Sequence, residues 1–209
     1  MKSVSVKRFF WILLLLPALL HAKEYKEGED YIRLATPLPT QTGDKIEVQE
    51  FFWYGCPHCF QFDPKLERWL KNKPANVEFV RTPAPLNPAW MVHTKTFYAL
   101  DAMGKIDQFH VELFNAMHVA RLKLFTQEAI ADYLEQKGLD RKKFLDMFNS
   151  FPVDSRARKA AQLGSQYKIS GVPTLTVNGK YVINTNRTGG FDEALNVLTY
   201  VVNKEIEAK

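Results

Sequence analysis

The chain has 209 residues, of which 46% are hydrophobic and 13% aromatic, a composition that excludes an intrinsically disordered protein and suits one domain with room for an insertion. Its net charge of +5 is concentrated at the start, because residues 1–22 carry Lys2, Lys7 and Arg8 and no acidic residue. The remaining 25 basic and 23 acidic side chains nearly balance, which argues against a nucleic-acid partner.

Residues 1–22 have the pattern of a secretory signal peptide. The three basic residues precede an apolar run of about a dozen residues, and Ala22 supplies a small residue at the expected cleavage point. The run is shorter than the roughly 20 residues that a membrane-spanning helix needs. We therefore expect cleavage near Ala22 and export of the mature protein from the cytoplasm.

The next part of the chain predicts a β-α-β unit. A short strand is expected near 31–34 and a stronger one at 46–54, where aromatic and β-branched residues are concentrated. Pro57 suits a first helical turn, and apolar residues at helical spacing continue that helix to about Lys71. A further strand is predicted at 77–81.

A proline-rich crossing at 82–88 leads into a block of helices. Their predicted bounds are about 89–103, 106–119, 126–137, 140–149 and 153–168. Two strands follow at 174–177 and 181–183, joined by an Asn-Gly turn that favours a hairpin, and then an amphipathic helix at 191–206. This order predicts an α/β fold with a helical insertion of roughly 70 residues.

Cys56 and Cys59 are the only cysteines in the sequence, and they directly follow the predicted strand 46–54. A disulfide between residues this close stabilises a fold little, so the pair is predicted to react rather than to brace the fold. The free N–H groups and the dipole at a helix start favour a thiolate at Cys56. Pro57 gives up a donor that has no partner there, and His58 can add positive potential beside the sulfur. Cys59 lies almost one turn further on, where its sulfur can form or resolve a disulfide.

Stabilisation of the Cys56 thiolate predicts whether the protein donates or reduces disulfides. Whatever stabilises the thiolate stabilises the reduced protein, which makes the disulfide form a stronger oxidant. A thiol pKa lowered by about three units corresponds to about 4 kcal/mol of preference for the thiolate. The motif therefore predicts a protein disulfide oxidoreductase that gives its disulfide away.

Other uses of the motif stay open at this point. A zinc site would have to draw on His93, His110 or His118, which lie on predicted helices without ligand spacing. Haem attachment needs a histidine directly after the second cysteine, where Phe60 stands. A purely structural disulfide is the third alternative. We predict no metal and no cofactor besides the redox-active disulfide itself, and we interpret the three histidines as ordinary helix residues.

Two parts of the sequence resemble the DsbA family of bacterial periplasmic dithiol oxidases. One is the segment EFFWYGCPHC at 50–59, and the other combines GVPT at 171–174 with VNGKY at 177–181. The resemblance covers nearly the whole mature chain and implies a thioredoxin fold with an inserted all-helical domain. The implied boundaries are a signal peptide at 1–22, a thioredoxin-like domain at 23–87 and 160–209, and the insertion at 88–159.

The resemblance also implies site residues beyond the motif. Val172–Pro173 is expected to be a cis peptide beside the dithiol, with the Val172 backbone binding an extended substrate by strand addition. A simple proline at the start of a strand is the alternative. Glu50 is expected beneath the active site, with Arg81 as its basic partner, where it helps to move a proton from the buried cysteine. The alternative for Glu50 is a solvated residue at the edge of the sheet.

Together these expectations predict one function. The Cys56–Cys59 disulfide is donated to reduced or unfolded exported proteins in the periplasm, and by family analogy a quinone-linked membrane reoxidase of the DsbB type restores it. The protein is expected to act as a monomer. Two other functions stay open: an isomerase or reductant of the same compartment, and a peptide-binding chaperone whose cysteines are incidental.

Overall fold

The computed structural model describes residues 23–208, so the predicted signal peptide lies outside the described residues. Five strands in this range form one sheet, and they are β1 (Ile32–Arg33), β2 (Ile46–Phe52), β3 (Val77–Pro83), β4 (Thr174–Val177) and β5 (Tyr181–Asn184). Their order across the sheet is β1-β5-β4-β2-β3. Strands β2 and β3 are parallel, and the other neighbours are antiparallel. All residues of β2 are buried, as suits an inner strand.

The helices fall close to their predicted bounds. They are α1 (Pro57–Lys71), α2 (Met91–Ala102), α3 (Ile106–His118), α4 (Gln127–Gln136), α5 (Arg141–Phe148), α6 (Phe151–Gln166) and α7 (Phe191–Glu207), with a 3₁₀ turn (Pro88–Trp90) before α2. Strand β3 runs two residues further than predicted, because Thr82 and Pro83 continue its pairing with β2. Among residues 23–208, no helix is both long enough and apolar enough to span a bilayer.

Helices cover both faces of the sheet. Val48 shares a buried cluster with Leu66 of α1 and Val197 of α7. Phe51 lies an odd number of residues further along β2 and therefore faces the other way, where its ring packs 5.5 Å from the ring of Tyr167 at the end of α6. This places the first turn of α1 at the carboxyl end of β2, on one side of the sheet.

The helical segment α2–α5 has a core of its own, continuous with the residues around the end of β2. Its buried apolar side chains include Phe97, Leu100, Phe109, Leu113, Ile130, Leu134 and Phe144. Helix α6 starts in this segment and ends against the sheet, without a break at the predicted boundary between 159 and 160. The observed architecture agrees with the predicted α/β fold with a helical insertion, and the domain bounds themselves stay a prediction.

The predicted hairpin between β4 and β5 is present, and it turns at Asn178 and Gly179. Both residues have positive φ, 50° and 68°, as the tight hairpin turn requires. The Gly179 carbonyl accepts a hydrogen bond of 2.8 Å from the Leu38 amide, which ties the N-terminal segment to the hairpin. A Cβ on Gly179 would collide with the carbonyl oxygen of Leu38. Only glycine fits this position without movement of the backbone.

We therefore predict that Gly179→Ala lowers the free energy of unfolding by about 3 kcal/mol, through positive φ and the collision together. Gly43→Ala is the matched control, because Gly43 has a similar φ of 61° but nothing within 4 Å of the added Cβ. The control should lose only about 1 kcal/mol. Denaturant unfolding of both variants measures the difference, and equal losses would contradict the proposed collision.

Candidate active site

The sequence places Cys56 where β2 gives way to α1. Cys56 is the N-cap of α1, and Pro57 occupies the first helical turn as predicted. The Cys56 amide donates to the Trp53 carbonyl at 3.0 Å, which closes the turn between strand and helix. Gly55 is required in this turn, because a Cβ there would collide with the Trp53 ring. The turn therefore fixes the first sulfur at the open end of the helix.

The Cys56 sulfur is held in surroundings that favour the thiolate. Its pKa is lowered from its ordinary value to about 6, chiefly by a hydrogen bond from the Cys59 thiol, against the opposing effect of burial. The backbone N–H groups of Cys59 and His58 and the charge of the His58 imidazole lower it further. The Cys59 amide lies 3.4 Å from the sulfur. The Cys59 thiol and these two N–H groups are therefore the donors that stabilise the expected thiolate at the helix start.

Cys59 has the opposite character. It is fully buried, and burial raises the pKa of its thiol well above the ordinary value, with added contributions from Cys56 and from the Glu50 carboxylate. Both cysteines are free thiols in the structure. The sulfur of Cys56 is therefore the acidic one, and Cys59 retains its proton in the reduced protein. His58 is exposed beside them, with its ring 6.2 Å from the Phe191 ring.

A loop from the distant end of the chain faces the first sulfur. The Val172–Pro173 peptide is cis, as the family resemblance implied. The Val172 carbonyl oxygen lies 3.5 Å from the Cys56 sulfur, close enough to accept a hydrogen bond from the thiol. The Thr185 hydroxyl donates to the Pro173 carbonyl at 2.8 Å and anchors the loop. The structure therefore brings together the dithiol and the loop that the sequence separates by more than 110 residues.

Glu50 and Arg81 form the ion pair that was predicted. They are opposite each other in the register of β2 and β3, and the Arg81 Nε donates to the Glu50 carboxylate at 3.2 Å. Glu50 is only 2% exposed, so the alternative of a solvated edge residue is wrong. Burial raises the pKa of Glu50 to about 7, although the Arg81 charge acts against the rise. The Glu50 carboxyl group therefore exchanges its proton near neutral pH.

The pair belongs to a larger cluster that the sequence analysis missed. The Arg81 Nη2 also donates to Asp63 at 2.8 Å and to Glu67 at 2.7 Å, both on α1. These acids are four residues apart and so share one face of the helix. An aspartate within the otherwise apolar stripe of α1 is a sequence signal that could have indicated a buried partner. Three carboxylates therefore share one guanidinium.

Two histidines of α3, His110 and His118, also reach the site, so the prediction that they are ordinary helix residues is wrong. They are eight residues apart, about two turns, and so lie on one face of α3. His110 is within 3.0 Å of the Tyr54 hydroxyl and 3.3 Å of the Asp63 carboxylate. The His118 Nε2 donates to the Tyr54 carbonyl at 2.7 Å, and its ring stacks on Phe60. No spacing in the sequence signals these contacts, which depend on tertiary packing.

Comparison with known proteins finds a matching family model and close relatives of one kind. The family model of the DSBA-like thioredoxin domain matches residues 92–196. Thiol:disulfide interchange protein DsbA of Pseudomonas aeruginosa is 42% identical over 184 residues, which are 88% of this chain and 87% of that protein. The protein of the same name from Azotobacter vinelandii is 40% identical over 190 residues, 91% of this chain and 89% of its own length.

Solved structures support the same relationship. The crystal structure of Pseudomonas aeruginosa DsbA matches with a TM-score of 0.84 at 42% identity, over 88% of this chain and 96% of that chain. The structure of the oxidoreductase DsbA from Xylella fastidiosa matches with a TM-score of 0.82 at 28% identity, over 88% of this chain and 98% of that chain. These similarities confirm the predicted thioredoxin fold with its helical insertion.

The hydrogen bond between the two thiols can be tested by titration. Cys59→Ala removes the largest cause of the low pKa of Cys56, so the pKa should rise from about 6 toward the ordinary value. The ultraviolet absorbance of the thiolate measures it, with Cys56→Ala as the blank. A Cys59→Ala variant that still titrates near 6 would contradict this account and leave the helix start alone responsible.

Arg81→Met should destabilise the fold in a pH-dependent manner. The substitution leaves three carboxylates without their shared cation, at an expected cost of about 3–5 kcal/mol near pH 8. Because the folded pKa of Glu50 is raised, protonation of Glu50 stabilises the fold, and this gain is lost as pH rises through about 7. The loss in Arg81→Met should therefore be smaller near pH 5.5.

The matched control is Lys142→Met, which breaks an exposed pair with Asp146 on α5. It should leave the free energy of unfolding nearly unchanged at either pH. Denaturant unfolding at both pH values measures the free energy of unfolding of the unsubstituted protein, Arg81→Met and Lys142→Met. If Arg81→Met lowered the free energy of unfolding by the same amount at both pH values, the proposed link to Glu50 would be wrong.

Proposed function

This chain belongs to the DsbA family and is a disulfide oxidoreductase, and from that premise we propose that it works as a disulfide donor. The oxidised protein passes its Cys56–Cys59 disulfide to reduced or unfolded exported proteins. The observation that carries the proposal is the place of Cys56 at the start of α1, with the Cys59 amide 3.4 Å from its sulfur. This place lowers the pKa of Cys56 to about 6, which makes its sulfur a good leaving group. A disulfide that breaks to give a stable thiolate is readily given up.

The proposed reaction has two thiolate attacks. A substrate thiolate attacks the Cys56 sulfur, the Cys56–Cys59 bond breaks, and Cys59 leaves with the electron pair and takes up a proton. A second substrate thiolate then attacks the substrate sulfur of the mixed disulfide, and Cys56 leaves as a stable thiolate. Two electrons pass from substrate to enzyme, so the substrate gains a disulfide and the protein ends as a dithiol.

We assign the other site residues roles in these steps. Glu50, with a pKa of about 7, can give a proton to Cys59 when the bond breaks and take it back during reoxidation. His58 supports the Cys56 thiolate, and Pro57 starts the helix that holds it. The Val172 backbone, beside the sulfur and ahead of Pro173, is suited to pair with an extended substrate chain.

The setting of this reaction is also part of the proposal. The signal pattern of residues 1–22 supports export to the periplasm with cleavage near Ala22. There the reduced protein would be reoxidised by a quinone-linked membrane partner of the DsbB type and would act as a monomer. No resident cofactor is proposed, because the two sulfur atoms carry the electrons themselves.

The direct test is a transfer assay with the purified protein. Oxidised protein is mixed with a reduced, unfolded polypeptide that has two cysteines, and mass spectrometry follows both disulfides, with Cys56→Ser as the inactive control. The substrate should become oxidised while the enzyme becomes a dithiol, and equilibration with glutathione should favour the reduced enzyme. An equilibrium that favours the enzyme disulfide would point instead to a reductant. Normal substrate folding in cells with Cys56→Ser would point to a chaperone.

Thermal unfolding gives an independent check. At neutral pH the reduced protein should melt at a higher temperature than the oxidised protein. The lowered pKa of Cys56 stabilises the folded dithiol above the ordinary thiol pKa, and this stabilisation is lost as pH falls through about 6. The gap between the two melting temperatures should therefore close below pH 6. A gap of opposite sign at pH 7 would count against a donor.

A further inference from the structure

His110 is a buried polar residue that the reaction described above does not use. It lies on α3, in the helical segment, and is 5% exposed. Aromatic rings of Phe52, Phe97 and Phe114 surround its imidazole at centroid distances of 5.2 to 6.4 Å. A polar ring in such surroundings is retained at a cost unless its hydrogen bonds are made. Its two partners therefore indicate what it does.

The partners settle which ring nitrogen carries the proton. Asp63 is an ionised carboxylate in contact with Arg81, so it can only accept, and the His110 Nε2 must be the donor across 3.3 Å. Burial lowers the pKa of His110, so the imidazole is neutral at pH 7. The Nδ1 of a neutral ring with Nε2–H is an acceptor, and the Tyr54 hydroxyl donates to it at 3.0 Å.

The chain of hydrogen bonds runs from the turn before the dithiol back to the charges beneath it. Tyr54 donates to His110, and His110 donates to Asp63. Asp63 and Glu50 both accept from Arg81, Asp63 at 2.8 Å and Glu50 at the longer distance of 3.2 Å. Glu50 is thus the more weakly held of the two. A change at Asp63 alters the share of the Arg81 charge that reaches Glu50.

We propose that His110 is a positioning residue for the dithiol: by donating to Asp63 it limits the hold of that carboxylate on Arg81, so that Arg81 remains available to Glu50. The charged and titratable groups that face His110 are Asp63 and Glu67 on α1, Arg81 on β3, and Tyr54 in the turn after β2, with Glu50 reached through Arg81. The α2 side chain in contact with it is apolar Phe97. The helical segment therefore contributes to the electrostatics of the reacting sulfurs.

The consequence for the reaction rests on the proposed function of Glu50 as the proton store for Cys59. If His110 is lost, Asp63 takes a larger share of Arg81 and Glu50 is left with less compensation. The pKa of Glu50 should then rise above its value of about 7. A carboxyl group that keeps its proton at neutral pH cannot accept one from Cys59, so the pH at which the dithiol is reoxidised fastest should move upward.

The test measures Glu50 directly in the reduced, isolated protein. Carbon NMR of protein labelled at the glutamate carboxyl groups gives the titration, and the signal missing in Glu50→Gln identifies Glu50. His110→Leu should raise the Glu50 pKa by about one unit. His110→Gln, whose amide nitrogen can replace Nε2 as donor to Asp63, should bring the Glu50 pKa most of the way back to about 7. If the leucine variant does not fold, His110→Asn, whose shorter amide falls short of Asp63, should give the same rise.

His93→Leu is the matched control, since His93 is a buried histidine of the neighbouring helix α2 whose Nε2 lies 2.6 Å from the Leu124 carbonyl and not near the charge cluster. It should lose stability without moving the Glu50 titration. An unchanged Glu50 pKa in His110→Leu, or an equal shift in His93→Leu, would overturn the proposal. Because no substrate is present, this result is independent of whether the protein proves to be a disulfide donor.

The pH profile of reoxidation by a small disulfide such as oxidised glutathione is the second readout. Its midpoint should move upward with the Glu50 titration in His110→Leu and return in His110→Gln. A general loosening of the fold would lower the rate at every pH without moving the midpoint. A midpoint that stays fixed while the Glu50 pKa shifts would contradict the link between His110 and the dithiol.

Discussion

The site depends on an electrostatic contrast between two sulfur atoms three residues apart. Cys56 lies at the open start of α1, where the Cys59 thiol and N–H groups without helical partners stabilise an anion. Cys59 lies one turn deeper, fully buried, where an anion is unfavourable. The turn at Gly55 and the sheet beneath it hold this arrangement in place. In the reduced protein this contrast leaves the negative charge on Cys56 and the proton on Cys59.

Beneath the sulfurs the fold buries more acid than base. The register of β2 and β3 sets Glu50 beside Arg81, and the spacing of α1 adds Asp63 and Glu67 to the same cation. Burial, together with the other carboxylates on the same guanidinium, raises the pKa of Glu50 to about 7, so Glu50 can gain or lose a proton near neutral pH. The same imbalance that weakens the fold gives the site a group that can exchange a proton at the pH where it works.

The sequence predicted most of the architecture, because its strong patterns are local. The stripe of apolar residues in α1, the Asn-Gly hairpin and the motif between Cys56 and Cys59 each act over a few residues. The pairing of Glu50 with Arg81 was also predictable, since both lie on strands that a β-α-β unit sets side by side. The roles of His110 and His118 were not, because a histidine on a helix gives no signal of what another helix brings to it.

Helix α6 is one of two covalent links between the helical segment and the sheet. It leaves the helical segment at Phe151 and continues for 16 residues, about 24 Å, until its end packs on β2 through Tyr167. The other covalent link, between β3 and α2, contains only a single 3₁₀ turn. One link is a continuous helix, and the other ends at Trp90, whose ring stacks on the Trp53 ring with centroids 4.0 Å apart. The helical segment is therefore held against the sheet at two separate places, by α6 and by the stacked tryptophans.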